Sequence, residues 1–168
     1  MGAGKTSAAK YLASKYGFQY TRYSKVLQDW LFADGCDKDR LQKLGWDVMA
    51  GGLQSELNER LIAGLDRSRS AAIDGLRHPI DFESLLSAFG NSFRMVFLEA
   101  PLERRFERLQ SRFSTPDAFR AGDSHPVEEH IDGLKPRASM TFSNDNSLRT
   151  VYERLDGWIA AYKLGEHK

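Results

Sequence analysis

The sequence is poor in cysteine, has no long apolar run and carries almost no net charge. Cys36 is the only cysteine in 168 residues, so neither an intramolecular disulfide nor a C-x-x-C zinc site can form, which fits a reducing compartment. No stretch approaches the roughly 20 apolar residues of a membrane span, and the N-terminus lacks the apolar core of a secretory signal. The expectation is a cytoplasmic protein with no membrane association. A formal net charge of +1 supplies no broad field, so nucleic acid is not expected as a partner. His78, His125, His130 and His167 share no metal-ligand spacing and read as surface residues. Internal repeats and low-complexity tracts are also absent.

What is present begins at the first residue. MGAGKT matches the second half of a phosphate-binding loop, G-x-x-x-x-G-K-[ST], with Gly4, Lys5 and Thr6 in register; the leading Gly would fall two places before Met1. Glycines let backbone N–H groups approach a triphosphate, and the N-terminus of a following helix favours its charge. Lys5 then reaches the β and γ phosphates, and the Thr6 hydroxyl binds Mg²⁺. The competing reading is a small-residue N-terminus that happens to contain GKT.

IDGLRHP, Ile73 to Pro79, sets Asp74 at the end of a short apolar run and Arg77 three residues later, in the crevice where open α/β sheets bind ligands. Asp74 can orient Mg²⁺ or water, and Arg77 can clamp an acceptor phosphate. The plainer alternative is a turn in which Asp74 accepts backbone N–H groups and Arg77 is solvated. In PLERRFERLQSR, Arg104, Arg108 and Arg112 share one helical face, with Arg105 three residues before Arg108. Such a cluster suits a lid that closes over a transferred phosphate, or an exposed helix with Glu103 and Glu107 as its partners.

At 168 residues, 41% apolar and 28% charged, the chain fits one domain spanning 1–168. Lys5 to Tyr16 reads as a helix stopped by Gly17, Phe18 to Thr21 as a strand, and Ser24 as the cap of a helix carrying Val26, Leu27, Trp30 and Leu31. Two helices are expected between Asp39 and Leu65, broken at Gly51 and Gly52. Ala71 to Asp74 reads as a strand, Ile80 to Phe89 as a helix, and Arg94 to Ala100 as the clearest buried strand. A helix is expected from Pro101 to about Phe113, then a mobile polar segment, Ser114 to His130, with one short helix near Pro126. Ser139 to Asn144 reads as the last strand, and Leu148, Val151, Tyr152, Leu155, Ile159 and Tyr162 fall on one face of a closing helix. Trp30, Trp46 and Trp158 read as core or core rim, Trp30 also as a candidate for the acceptor pocket, and Cys36 as an incidental loop residue.

Strands alternating with helices indicate an α/β fold with a parallel sheet covered on both faces. In that architecture the phosphate loop hangs from a central strand, and no such strand precedes Gly2. The expectation is therefore that Met1 is an internal methionine taken as a start, or that the chain was truncated and lost its innermost strand. If Met1 is instead the start, the sheet should lack its central strand or borrow one, and ATP affinity should be poor.

With GAGKT, IDGLR, PLERRFER and FSNDNSL in this order, the chain resembles the P-loop nucleotide kinases, above all the nucleoside and deoxynucleoside monophosphate kinases and dephospho-CoA kinase. The resemblance implies a three-layer α/β sandwich with a five-stranded parallel sheet, acceptor-binding helices over about 24–70 and a lid over about 113–135. It implies ATP and Mg²⁺ as cofactors, a (deoxy)nucleoside monophosphate as acceptor, and a monomer or homodimer. Carried over by residue, Gly2, Ala3, Gly4, Lys5, Thr6 and Ser7 bind the phosphates, and Asn144 and Ser147 lie near the adenine, with Asn146 in place of a Gly. Tyr23, Ser24, Asp74 and Arg77 hold the acceptor, Thr6 and Asp74 the metal, and Lys5, Arg105 and Arg108 are catalytic. The lid has few arginines beyond Arg112 and Arg120. TRYSK replaces the paired aspartates of dephospho-CoA kinases, which favours a nucleotide acceptor over dephospho-CoA. Alternatives are a dephospho-CoA kinase-like activity, a kinase of another small hydroxyl compound such as a sugar acid, and a non-catalytic nucleotide-binding or interaction protein.

Overall fold

KTSAAKYLASKY is built mainly of good helix formers, and it folds as α1, Lys5–Tyr16, in the computed structural model, which describes residues 1–31, 35, 37–145 and 147–165. Left-handed glycines close both ends: Gly4 at φ 97° precedes the helix and Gly17 at φ 71° ends it. The next elements are β1, Gln19–Arg22, and α2, Tyr23–Trp30. Arg22 is the extended residue at the start of α2, so Ser24, expected as the cap, lies inside the first turn instead. Helix α3, Lys38–Ala50, is capped by Asp37, whose side chain accepts from the Arg40 N–H, and α4, Gln54–Ala63, follows the expected break at Gly51 and Gly52. Cys36, Asn146 and His167 lie outside the described residues.

The second half alternates similarly: β2, Ala71–Asp74; α5, Pro79–Phe89; β3, Val96–Glu99; α6, Leu102–Arg108; α7, Pro116–Asp123; α8, Ile131–Leu134; β4, Met140–Ser143; and α9, Leu148–Gly165. Two expectations are corrected between 101 and 130. Helix α6 ends at Arg108, short of Phe113, because Phe113 turns inward to meet the Phe119 ring edge-on at 5.6 Å, with Phe106 5.7 Å from the same ring. Residues 114–130, expected to be irregular, include α7, whose N-terminus is capped by Thr115 Oγ1 accepting from the Ala118 N–H at 3.2 Å with Pro116 in the first turn. The Thr-Pro signal was present, but a helix this short leaves too few apolar positions to declare a period.

Strands β1 and β2 pair in parallel from Gln19↔Ala71 to Arg22↔Asp74, and β3 and β4 from Val96↔Met140 to Glu99↔Ser143. Among the described residues these are two separate two-stranded sheets, where the resemblance implied one sheet of five strands. No backbone hydrogen bond joins β2 to β3 among those residues. In consequence β3, expected to be the best-buried strand, is fully buried only at Leu98. The core divides in the same way. Ala8, Leu98, Phe142, Val151 and Leu155 form one cluster, Leu27, Val48, Leu57, Leu61 and Leu85 a second, and Phe82, Met95 and Leu134 a third. Trp46 and Trp158 are partly buried, as expected of core-rim residues, and Trp30 lies beneath the Arg60 guanidinium at 4.7 Å.

Candidate active site

The C-terminal ends of both strand pairs meet the loop that opens the chain. Thr6, in the first turn of α1, donates from Oγ1 to Asp74 Oδ2 at 2.5 Å, tying the loop to the end of β2. Asn144, directly after β4 and 1% exposed, donates from Nδ2 to the Ala3 carbonyl at 2.9 Å. Gly4 is required at its position twice over: its φ is 97°, and a Cβ there would stand 2.6 Å from Asn144 Nδ2. Gly2 is also left-handed, at φ 76°, with Arg105 backbone 3.0 Å from where a Cβ would sit.

Above this loop lies a cavity of about 750 Å³ lined by residues 1–7, Arg22, Tyr23, Ser24, Asp74, Arg77, Arg108, Arg112, Glu128 and Asn144 among others. Lys5 is half-buried there. Burial pulls its ammonium below the ordinary lysine range, Glu128 and Asp74 oppose that shift, and Arg77 and Arg105 add to it. Arg77 Nε stands 3.0 Å from Glu128 Oε1. The pair is close but misaligned, since both atoms are buried and neither makes a hydrogen bond. Arg108 Nη2 donates to the Asn144 carbonyl at 2.8 Å, which sets its guanidinium beside the loop.

Most of the expected site residues therefore converge on one cavity, and two do not line it. Arg105 spends its guanidinium on Asp123 and on the carbonyls of Ala100 and Met1, at 3.2 Å each. Burial alone would raise the Asp123 carboxyl, but the Arg105 hydrogen bond and the Met1 amine outweigh it and hold the group below the usual carboxylate range. Arg105 thus fastens α7 to the loop; Arg22 and Arg112 line the cavity in its place. Ser147 is exposed, with Oγ 3.5 Å from Thr150 Oγ1. Arg104 is a solvated partner of Glu107 at 2.9 Å, because the exposed side of α6 faces away from the loop.

A buried polar network that sequence reading missed holds the Arg77 side of the cavity. Asp81, 1% exposed, accepts from the backbone N–H groups of Arg77 and His78 at 3.0 and 2.9 Å and from the side chains of Gln54 and Asn58. Tyr23 donates its hydroxyl to Asn58 Oδ1 at 2.6 Å, and burial pushes its phenol well above the ordinary range. The network fixes the turn from which Arg77 projects. A local signal existed in R-H-P-I-D, where Pro79 opens a helix and Asp81 sits at its third position, the pattern of a capping box. Gln54 and Asn58 had no such signal. They come from a different helix, 23 to 27 residues away in sequence.

Similar architecture occurs in solved structures. Shikimate kinase from Acinetobacter baumannii in complex with shikimate superposes with a TM-score of 0.58 at 20% identity, over 98% of this chain and 90% of that one. TT1252 from Thermus thermophilus does so with a TM-score of 0.55 at 20% identity, over 96% of this chain and 93% of that one. The chain shares its fold with both structures. No family model matches the sequence. A UPF0200/UPF0201 protein of Archaeoglobus fulgidus is 28% identical over 119 residues, 68% of this chain, and the chain spans 36% of that protein's length. Within this fold the loop, the Asp74 strand end and the Arg108 helix line one cavity, and no helix among the described residues is long and apolar enough to cross a membrane.

Proposed function

We propose that this chain is an ATP- and Mg²⁺-dependent phosphotransferase that moves the γ-phosphate to a small nucleotide, a (deoxy)nucleoside monophosphate. The observation that carries the reading is the 2.5 Å contact of Thr6 Oγ1 with Asp74 Oδ2. It places a hydroxyl and a carboxylate oxygen side by side at the N-terminus of α1, next to Lys5 and facing Arg77.

Those donors suit the ion. Mg²⁺ prefers hard oxygen ligands, and Thr6 and Asp74 present two. Bound there with ATP, it would neutralise charge on the β and γ phosphates. The protein's own part is positioning. Backbone N–H groups of the Gly2–Thr6 loop and the start of α1 receive the phosphates, which Ser7 borders, and the Lys5 ammonium stabilises charge on the transferred phosphoryl. Arg77 fixes the acceptor phosphate once that phosphate replaces the Glu128 carboxylate, and Tyr23 and Ser24 border the acceptor. Arg108, held at the Asn144 carbonyl, faces the transferred group. An acceptor phosphate oxygen bonds to Pγ as the bond from Pγ to the β–γ bridging oxygen breaks, and ADP leaves with that electron pair. Catalysis rests on alignment and electrostatics with no covalent protein intermediate.

A coupled assay of ADP release over a panel of nucleoside monophosphates and dephospho-CoA tests the proposal. Turnover with a monophosphate is expected, and Lys5→Ala should lower it by roughly 100-fold or more while the circular dichroism spectrum is unchanged. Undiminished turnover in Lys5→Ala sinks the assignment. A second reading, a small hydroxy acid as acceptor, is favoured by the likeness to a kinase solved with shikimate. Shikimate in the same panel decides it, through turnover there and none with any monophosphate.

A further inference from the structure

Arg22 is the arginine of the cavity that the sequence reading did not single out and that the folded chain leaves without an anion. Lys5, Arg22, Arg77, Arg108 and Arg112 all line that cavity. Arg77 Nε stands 3.0 Å from Glu128 Oε1, Arg108 Nη2 donates to the Asn144 carbonyl at 2.8 Å, and Arg112 Nη2 donates to Asp39 Oδ1 at 2.6 Å. Arg22 is half-buried at the C-terminal end of β1 and forms no ion pair among the described residues. Partial burial strips a guanidinium of hydration that an anionic partner has to replace.

Its position fixes what it can meet. Arg22 and Asp74 are partners in the parallel register, so their side chains leave the same face of the β1–β2 pair. Tyr20, two residues earlier on that face, feels both: burial raises its phenol, Asp74 adds to the shift and Arg22 opposes it. The turns that carry Arg22 and Arg77 adjoin, since a Cβ on Gly75 would stand 3.7 Å from Tyr23 Cβ. The acids nearby are committed elsewhere. Asp74 accepts from Thr6, and Asp81 accepts from Gln54, Asn58 and the N–H groups of Arg77 and His78. Glu128 brings a single negative charge, which answers Arg77 and leaves Arg22 over. A ligand that takes the place of Glu128 against Arg77 therefore meets a second guanidinium. A phosphate monoester dianion has the charge and the oxygen atoms to engage two such forks, whereas a carboxylate has one charge and two oxygens.

We propose that Arg22 is a specificity-determining residue of the acceptor site, which together with Arg77 selects a dianionic phosphate monoester over a monoanionic carboxylate or sulfate. The inference rests on the phosphotransferase reading for the existence of an acceptor. Its test measures binding alone, so a loss of ligand preference and a lack of phosphoryl transfer are separate results.

Calorimetry with AMP, CMP, GMP and UMP, in the presence of ADP and Mg²⁺ to occupy the loop, supplies the test. At about pH 7.5 a phosphate monoester, with its second pKa near 6, is a dianion. The nucleoside 5′-sulfate matching the tightest of the monophosphates has the same shape and one charge fewer. The unmodified chain should prefer phosphate to sulfate by about tenfold or more, and Arg22→Gln should shrink that preference to about twofold, with the loss falling on the phosphate. Arg22→Lys, which keeps the charge and gives up the fork, should fall between the two. Arg77→Gln should weaken both ligands. An unchanged preference in Arg22→Gln overturns the proposal. If none of the monophosphates binds, methyl phosphate and methyl sulfate replace them, and equal binding of the two overturns it as well. If Arg22→Gln does not fold, the Arg22 Nε–H resonance of the unmodified chain is followed by NMR. It should move on addition of the phosphate ester and move less with the sulfate; a resonance that neither ligand shifts overturns the proposal.

Discussion

A second cavity, of about 860 Å³, lies between β2 and β3 and shares Lys5, Asp74 and Gly75 with the cavity above the loop, but its remaining charged groups, Asp66, Arg67, Arg69 and Arg94, gather just ahead of the strands. The one above the loop is ringed by Arg22, Arg77, Arg108, Arg112 and Glu128; the one below it is apolar from Ala71 to Ile73 and from Met95 to Leu98. The difference follows from the alternation of strand and loop. Side chains along a central strand face packed helices and must be apolar, whereas the residues just past each strand end are free to carry charge. Charge in this molecule therefore gathers beyond the strand ends, and apolar packing lies along the strands.

That division can be broken by paired substitutions. Asp81→Ala, in the polar network, and Leu155→Ala, beside the apolar cleft, should each cost about 3 kcal/mol in urea unfolding, the first by stranding buried donors and the second by opening a void. Only Asp81→Ala should also weaken acceptor binding in calorimetry, because it frees the turn that aims Arg77; equal loss of acceptor affinity in both variants would erase the distinction. A smaller effect is expected at Glu128. Removing its charge in Glu128→Gln leaves Arg77 and Lys5 without that competing anion, so inorganic phosphate should bind roughly three- to tenfold more tightly. Weaker binding would show that Glu128 belongs to the productive arrangement.

The smallest effect concerns His78, whose Nδ1 accepts the Ile80 N–H at 3.1 Å and must be unprotonated to do so. Burial lowers its pKa from the ordinary 6.5, Asp81 opposes the shift, and His130, with its ring 4.8 Å away, adds to it. A base with a depressed folded pKa contributes stability that is present above its unfolded pKa and lost as pH falls below it. The Tm should therefore drop as pH falls from about 6.5 towards the lowered value. His78→Asn, which keeps a capping oxygen, should flatten that drop by about 1–2 °C. An identical pH profile in the variant would remove His78 from the account.

Features set by neighbours in the chain were legible in advance. Helix α1 with its glycine boundaries, the break at Gly51 and Gly52, the strand Ala71–Asp74 and the buried stripe of Val151, Leu155 and Ile159 all follow from propensity, capping and period. The spacing from Asp74 to Arg77 was equally readable, because a strand end and its turn form one local unit. Only the folded chain decides that Arg105 answers Asp123, that Glu128 stands against Arg77, that Asp81 gathers donors from α4, and that the strands divide into two pairs. Each of those outcomes depends on which charged or polar group lies nearest across tens of residues of sequence. Proximity of that kind is created by packing, and no local pattern encodes it.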